Sequence, residues 1–280
     1  MVDAAKRPRD GSDGDAAQKK QKGADAIDLT DAIASKEKCV EAMKSIAKEF
    51  ICPITHELPI RPVTAEDGKI YEEKAIREWW SQKDGDPTSP STGAVIGTRL
   101  LPAPQARNTI EELVKSGAVD GELAEAWKIK LKQETKVKEL HAKAEGGDGE
   151  AMWDLGVSYE YGECGLAVDK AQARALYERS AAVRDPRGLG AFGQSLLCRI
   201  GGPKDNVLGL VNATEAAHLG SDLGALLLGE ACFRGTSGLS KDPVRARYLL
   251  KKVVEGKCEH KHLSAKAIAE AAKWLRELGQ

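Results

Sequence analysis

The C-terminal part of the chain repeats a pattern at nearly constant spacing, and this repetition constrains the fold more strongly than any other feature. An apolar residue followed by glycine recurs at intervals of 37 and 36 residues, at Leu155-Gly156, Phe192-Gly193 and Leu228-Gly229. A short polar residue recurs at the same intervals, at Asp169, Asn206 and Asp242. Units of this length form helix–turn–helix pairs that bury their apolar faces by stacking on their neighbours. The sequence therefore predicts an all-α solenoid of three such units over residues 146–257.

Small and polar residues at fixed places indicate how each unit is built. Small residues at Ala151, Gly188 and Gly224 let two helices cross closely. An Asp or Asn just before the second helix suits an N-cap. In the middle unit, Arg199 stands where the turn glycine belongs and Leu196 replaces an aromatic residue.

The first unit carries the fullest pattern, Ala151-x3-Leu155-Gly156-x2-Tyr159-x2-Gly162-x5-Val168-Asp169-x3-Ala173-x3-Tyr177-x3-Ala181-Ala182. This pattern resembles a Sel-one-like repeat, a relative of the tetratricopeptide unit. We expect residues 258–280 to form a capping helix at the open end of the array.

A second pattern precedes the repeats. Asp67-Gly68 lies between two short apolar stretches and predicts a hairpin, because glycine accepts the positive φ that a tight turn needs. Residues 72–82 have helical spacing, a Gly/Pro/Ser-rich loop follows over 84–93, and a short strand is expected around Val95-Ile96. A second helix is expected over 108–114, with Ile110 and Leu113 pointing inward. The predicted order is loop, hairpin, helix, loop, strand and helix.

Metal cannot brace this segment in the usual way. A zinc cross-brace with two tetrahedral sites needs about eight Cys or His ligands. Between Phe50 and Val114 the chain offers only Cys52 and His56. Hydrogen bonds, ion pairs and apolar packing must therefore hold the segment, and we predict neither a metal nor a cofactor.

A set of motifs in this segment resembles the U-box family, which has a RING-like fold without zinc. The set comprises Phe50-x-Cys52-Pro53-Ile54-Thr55-x-Glu57, Pro62-Val63, Gly68-x-x-Tyr71-Glu72, Ile76-x-x-Trp79 and Ser89-Pro90-x-Thr92-Gly93. The resemblance implies an α+β fold of order ββαβα, here followed by the all-α solenoid in a helix-rich chain. The expected organisation is a disordered tail (1–26), a leading helix (27–48), the U-box (49–116), a charged connecting helix (117–145), the repeats (146–257) and the capping helix (258–280).

The resemblance also implies a docking surface. In the family, an aliphatic residue of the first loop, a helix residue and a proline of the second loop grip a ubiquitin-conjugating enzyme; by position these are Ile54, Trp79 and Pro90. Trp80 is the alternative to Trp79, and Pro87 is the alternative to Pro90. The alternative role for Ile54 is that of an ordinary core residue. No catalytic residue is expected on this chain, and Cys52 is read as structural. Gly93 occupies the place where many relatives carry a basic residue, for which Arg99 or Arg107 are the substitutes.

Composition narrows the partners and the compartment. With 42 basic and 43 acidic residues, the chain has no net field for nucleic acid or anionic lipid. Six scattered cysteines favour reduced thiols in an intracellular, soluble protein, and no apolar run is long enough to span a membrane. The tail clusters Lys6-Arg7 and Lys19-Lys20-Gln21-Lys22 resemble a bipartite nuclear import signal, or else are a solvated charged tail; nuclear and cytoplasmic locations both fit. The Cys258-x-His260-x-His262 cluster is read as solvated surface rather than a metal site.

Together these features predict a ubiquitin-protein ligase of the U-box type. It would dock a conjugating enzyme charged with ubiquitin, while the repeats recruit a protein client or adaptor on their concave face. Two alternatives remain: a non-enzymatic scaffold that uses a U-box-like domain for docking, and a nuclear assembly factor.

Overall fold

The computed structural model describes residues 29–82 and 85–279. It divides the chain into two compact units, of which the first ends at Trp127 and the second begins at Lys128. The tail predicted to be disordered, with its basic clusters, lies outside the described residues. Among the helices of the described part, none combines the length and apolar character needed to cross a membrane.

The first unit combines a small sheet with helices. Its elements are α1 (Leu29–Lys48), β1 (Pro62–Thr64), β2 (Ile70–Glu72), α2 (Glu73–Ser81), β3 (Leu101–Pro102), α3 (Pro104–Lys115) and the start of α4 (Gly121–Glu145). The sheet order is β2-β1-β3, with both pairs antiparallel. Gly68 takes a φ of 74° in the β1–β2 turn, as the Asp-Gly pair predicts. The ββαβα order expected from the sequence is therefore present.

The third strand lies further along the chain than the sequence indicated. β3 pairs Leu101 and Pro102 with Thr64 and Val63 of β1. The predicted strand at 95–96 is wrong, since Val95 makes only an isolated bridge with Thr88 and is largely exposed. Two β-branched residues suit a strand locally, but strand formation depends on a partner edge and on burial, which Val95 lacks.

Helix α3 begins earlier than predicted. It runs Pro104–Lys115 and has Pro at its first position, where a missing N–H costs nothing. The sequence prediction placed the start at residue 108. Ile110 and Leu113 are buried, as expected.

The second unit is built from helix pairs. Its elements are the remainder of α4, then α5 (Gly149–Tyr161), α6 (Lys170–Ala182), α7 (Pro186–Cys198), α8 (Asn206–His218), α9 (Asp222–Arg234), α10 (Pro243–Val254) and α11 (Ala265–Glu277). Helices α5–α6, α7–α8 and α9–α10 form the three predicted units, each packed on the next. The middle unit is helical despite its divergent sequence.

One N-cap differs from the sequence prediction. Asp169 and Asp242 cap α6 and α10, but α8 is capped by Asp205, whose carboxylate accepts the N–H of Leu208 at 2.9 Å. The prediction of Asn206 is wrong by one residue. Arg199 ends α7 with a left-handed φ of 60°, so the turn forms without the glycine found in the other units. The link from Arg199 to Asp205 is one residue shorter than the equivalent links in those units.

The array has an inner and an outer side. The first helices of neighbouring units, α5 with α7 and α7 with α9, contact each other directly. Within the described chain, the second helices α6, α8 and α10 make no comparable contacts with one another. The first helices therefore line the inner, concave side, and the second helices diverge on the outer side.

The segment after α10 folds back onto the first helices. The Asp222 carboxylate of α9 accepts the N–H groups of His262 and Leu263 at 2.8 and 3.0 Å. The His262 ring lies 4.5 Å from the ring of Trp153 in α5. Cys258 is buried in the core of the last repeat, so reading the whole Cys258–His262 stretch as solvated surface is wrong for that residue. Its thiol is buried because the segment after α10 packs against α9 and does not extend into solvent.

Candidate docking site

The first loop is a tight turn anchored on a buried cysteine. The Cys52 N–H donates to the Glu57 carbonyl at 2.9 Å, and the His56 N–H donates to the Cys52 carbonyl at 2.8 Å. The fully buried Cys52 Sγ accepts the N–H of Glu72 at 3.3 Å, which ties the loop to the end of β2. Ile54 lies in this turn, half-buried and partly packed against the core.

Helix α2 carries the two adjacent tryptophans. Ile76 is fully buried and fixes the inner face of this nine-residue helix. Trp80 packs against the core, and its indole N–H donates to the Thr88 carbonyl at 3.1 Å. Trp80 therefore links α2 to the second loop. Trp79 is also half-buried, and neighbouring positions on a helix point about 100° apart.

The second loop folds around the side chain of Ser89. The Ser89 hydroxyl is buried and accepts the N–H groups of Ser91 and Thr92 at 3.2 and 3.1 Å. The Ser89 N–H donates to the Ala94 carbonyl, and the Gly93 N–H donates to the Ser89 carbonyl, at 2.8 and 2.9 Å. Pro90 lies within this closed loop and is half-buried. The loop therefore has a defined shape without a metal.

A carboxylate joins the second loop to the hairpin. Asp67 accepts hydrogen bonds from the hydroxyls of Ser89 and Tyr71 at 2.5 and 2.7 Å, and from the Lys69 N–H at 3.0 Å. The Tyr71 oxygen in turn lies 2.9 Å from the Ser91 hydroxyl. We call Asp67, Tyr71, Ser89 and Ser91 the loop network.

The charges of the loop network follow from these contacts. Burial alone would raise the pKa of Asp67, but the hydrogen bonds from Ser89, the Lys69 N–H and Tyr71 outweigh it and lower the pKa. Burial raises the pKa of the Tyr71 hydroxyl, and its hydrogen bond to Asp67 adds to that rise. Tyr71 therefore stays a donor to a charged Asp67 at neutral pH.

A second carboxylate holds the segment between the first loop and β1. Glu72 accepts the N–H groups of Ile60 and Arg61 at 2.7 and 3.3 Å. The Arg107 guanidinium donates to the Ile60 carbonyl at 2.8 Å, and the Trp127 indole donates to the Pro59 carbonyl at 3.3 Å. Arg107 thus serves this packing, whereas Arg99 is exposed.

The segments that carry the three predicted contact residues are bonded to a shared frame. The loops bearing Ile54 and Pro90 and the helix bearing Trp79 are all hydrogen-bonded to one hairpin-and-helix frame, which limits their movement relative to one another. Within residues 29–82 and 85–279, no group of three or more His, Cys, Asp and Glu side chains is placed to hold a metal ion. Side chains held in this way lose little conformational freedom if they bind a protein partner.

Tyr71 and Ser89 belong to the motifs recognised in the sequence, but their hydrogen bonds to Asp67 were not predicted. The available signal was weak. An Asp before the turn glycine and a Tyr four residues later are compatible with a bond across the turn. Ser89 is 22 positions away from Asp67, so no local pattern connects the two.

Comparisons with known proteins agree with these two units. Residues 46–118 match the family profile of the U-box domain. Residues 149–183 and 223–254 match that of the Sel1 repeat. The chain therefore contains a U-box domain and Sel1 repeats, and the matches flank the divergent middle repeat.

Individual curated relatives match a short segment of the chain. U-box domain-containing protein 43 of Arabidopsis thaliana is 40% identical over 72 residues, which is 24% of this chain and 9% of that protein. The putative E3 ubiquitin-protein ligase LIN-1 of Lotus japonicus is 44% identical over 55 residues, which is 20% of this chain and 4% of that protein. The matched segment thus spans less than a tenth of either relative.

One solved structure is similar to about half of the chain. A Sel1 repeat protein from Oxalobacter formigenes is 25% identical, with a TM-score of 0.40, covering 50% of this chain and 96% of the other.

Proposed function

We propose that this chain, in which a U-box domain is followed by Sel1 repeats, is a ubiquitin-protein ligase that docks a ubiquitin-charged conjugating enzyme on Ile54, Trp79 and Pro90. The observation that carries the proposal is the loop network, which holds the second loop on the same frame as the first loop and α2. The relatives named as E3 ubiquitin-protein ligases support ligase activity at the level of the family. The repeats recruit the protein client.

The proposed chemistry is positioning rather than covalent catalysis by this chain. The conjugating enzyme carries ubiquitin as a thioester, and a client lysine amine attacks its carbonyl carbon and releases the cysteine thiol. Docking holds the thioester close to the client, so that a bimolecular encounter becomes effectively intramolecular. Apolar side chains on hydrogen-bonded loops contribute binding energy with little loss of freedom.

Self-ubiquitination with a panel of conjugating enzymes tests the docking site. We expect Ile54→Ala and Pro90→Ala each to weaken binding of the conjugating enzyme by about 2 kcal/mol, roughly thirtyfold, if the site has the usual anchor energetics. Ubiquitin transfer should fall accordingly, while circular dichroism and the unfolding midpoint stay close to those of the unchanged protein.

Pro87→Ala is the matched control, since Pro87 is also half-buried in the second loop. Loss of transfer in Pro87→Ala with full transfer in Pro90→Ala would move the contact to Pro87. Full transfer by a folded Ile54→Ala, Pro90→Ala double variant would refute the docking site.

A non-enzymatic scaffold is the second candidate, and one observation favours it. Gly93 has a φ of 73° and offers no side chain where many relatives carry a base. The exposed Arg99 is the candidate to replace that charge. A wild-type chain that transfers ubiquitin with none of the conjugating enzymes tested would favour the scaffold.

A further inference from the structure

The outer side of the repeat array opens into a groove between α8 and α10. The groove has a volume of about 550 Å³. Its floor is the buried Leu228 of α9, and its apolar walls include Leu210 and Val211 of α8 and Leu239 in the loop before α10. The groove exists because the second helices diverge on this side. Its size lies within the range of about 300–1,000 Å³ typical of ligand sites.

Helix α8 exposes an apolar stripe along this groove. Val207 and Val211, one helical turn apart, are 75% and 55% exposed, and Leu210 lies on the same side of the helix. On α10, Tyr248 is also 64% exposed. Single exposed apolar side chains are ordinary, but a continuous stripe beside a groove marks a binding surface.

The ionisable residues around the groove are mainly basic. Arg184, His218 and Arg245 line it, against a single acid, Glu215. Glu215 pairs with Arg184 at 2.8 Å. In the described part of the chain the Arg245 side chain has no acidic partner, and it projects from the first turn of α10 beside the groove.

We propose that this groove binds a short amphipathic segment of a protein partner, with apolar residues on one face and carboxylates beside them. The apolar residues would pack on Val211 and Leu228, as an amphipathic helix packs in a groove, while a carboxylate pairs with Arg245. The inference rests on the proposed role of the repeats in recruiting a client and names the chemistry of the recruited segment.

The inner side is less open to a partner than the analogy with other repeat arrays suggested. The segment that follows α10 already lies across α9 and reaches Trp153 of α5 through His262. The outer groove carries no such covering segment among the described residues of the repeat unit. This contrast places the client segment on the outer side.

Selection from a library of short random peptides displayed on phage, with the full chain as the target, tests the proposal. Selected peptides should combine Leu, Ile or Phe with Asp or Glu. Fluorescence anisotropy of the best of them should show a dissociation constant about tenfold larger for Arg245→Glu, equivalent to the loss of one charged contact. Val211→Ser should weaken binding several-fold, and added salt should weaken it further.

Lys266→Glu is the control variant, because Lys266 is an exposed base in the first turn of α11, away from the groove. It should bind the selected peptides as the unchanged protein does. Arg245→Glu puts an acid near a helix N-terminus, so its fold should persist. A library that yields no binder, basic peptides, or peptides that bind Arg245→Glu equally well would overturn the proposal.

The two proposals fail separately. Peptide binding without ubiquitin transfer by any conjugating enzyme would support the proposed groove and refute the proposed ligase function. Ubiquitin transfer without peptide binding at the groove would support the ligase function and refute the groove proposal.

Discussion

Replacing Asp67 tests whether hydrogen bonds hold the second loop in place of a metal. Asp67 accepts two hydroxyl hydrogen bonds and one from the Lys69 N–H. A hydrogen bond to a charged group contributes about 1.5–3 kcal/mol, and partial exposure of Asp67 favours the lower end. We therefore expect Asp67→Ala to cost the first unit about 3 kcal/mol. Asp67→Asn keeps the shape but loses the charge, at a cost of about 1–2 kcal/mol.

The effect has a defined pH dependence. The fold lowers the pKa of Asp67, so at acid pH the unfolded chain takes up this proton before the folded one. The stabilisation by Asp67 is fully present above the ordinary aspartate pKa of about 3.9. It is lost as the pH falls through the lower pKa of the folded state. The difference in free energy of unfolding between the unchanged protein and Asp67→Asn should therefore shrink in that acid range.

Urea unfolding followed by tryptophan fluorescence gives the free energies, since Trp79 and Trp80 lie in the first unit. Hydrogen exchange locates the effect, because the amides of Ser89, Gly93 and Ile96 bond to carbonyls within the second loop. These amides should lose protection in Asp67→Ala.

Asp86→Asn, which alters an exposed acid in the same loop region, is the matched control and should leave exchange unchanged. If Asp67→Ala exchanges these amides as slowly as the unchanged protein and unfolds at the same urea concentration, the loop network does not hold the loop.

Two further predictions concern the repeats. Arg199→Gly should stabilise the second unit by about 0.5–1 kcal/mol, because Arg199 holds a φ that Gly162 and Gly235 adopt freely at equivalent places; thermal unfolding measures this, and no gain over Arg199→Ala would contradict it. Gly224→Ala should destabilise it by about 1–3 kcal/mol, since the added Cβ would lie 2.6 Å from the Ala216 Cβ. A thermal midpoint unchanged in Gly224→Ala would contradict that close helix crossing.

The elements that the sequence predicted best are those set by local pattern. The repeat spacing and the small residues at Ala151, Gly188 and Gly224 report the helix crossings directly, since each crossing lies within a few dozen residues. The cap of α8 was missed because Arg199 replaces the glycine that marks the turn. Without that marker, the shorter link that makes Asp205 the cap cannot be read from spacing alone.

The features that the sequence missed depend on distant contacts. The bond from Ser89 to Asp67 and the contact of His262 with Trp153 join positions that share no periodic relation. Ile54, Trp79 and Pro90 came from a family resemblance and not from any physical pattern, and their role stays a prediction. The structure adds the frame that fixes the loops and helix bearing them.

The contact between His262 and Trp153 alters how the array comes apart. In an open stack of repeats, the last one can fray while the others stay folded, because each touches only its neighbour. Here the segment that follows the third repeat contacts the first repeat through His262 and Trp153. Unfolding of the C-terminal end therefore also removes a packing contact from α5. The three repeats should melt in a single cooperative step rather than peel off one by one.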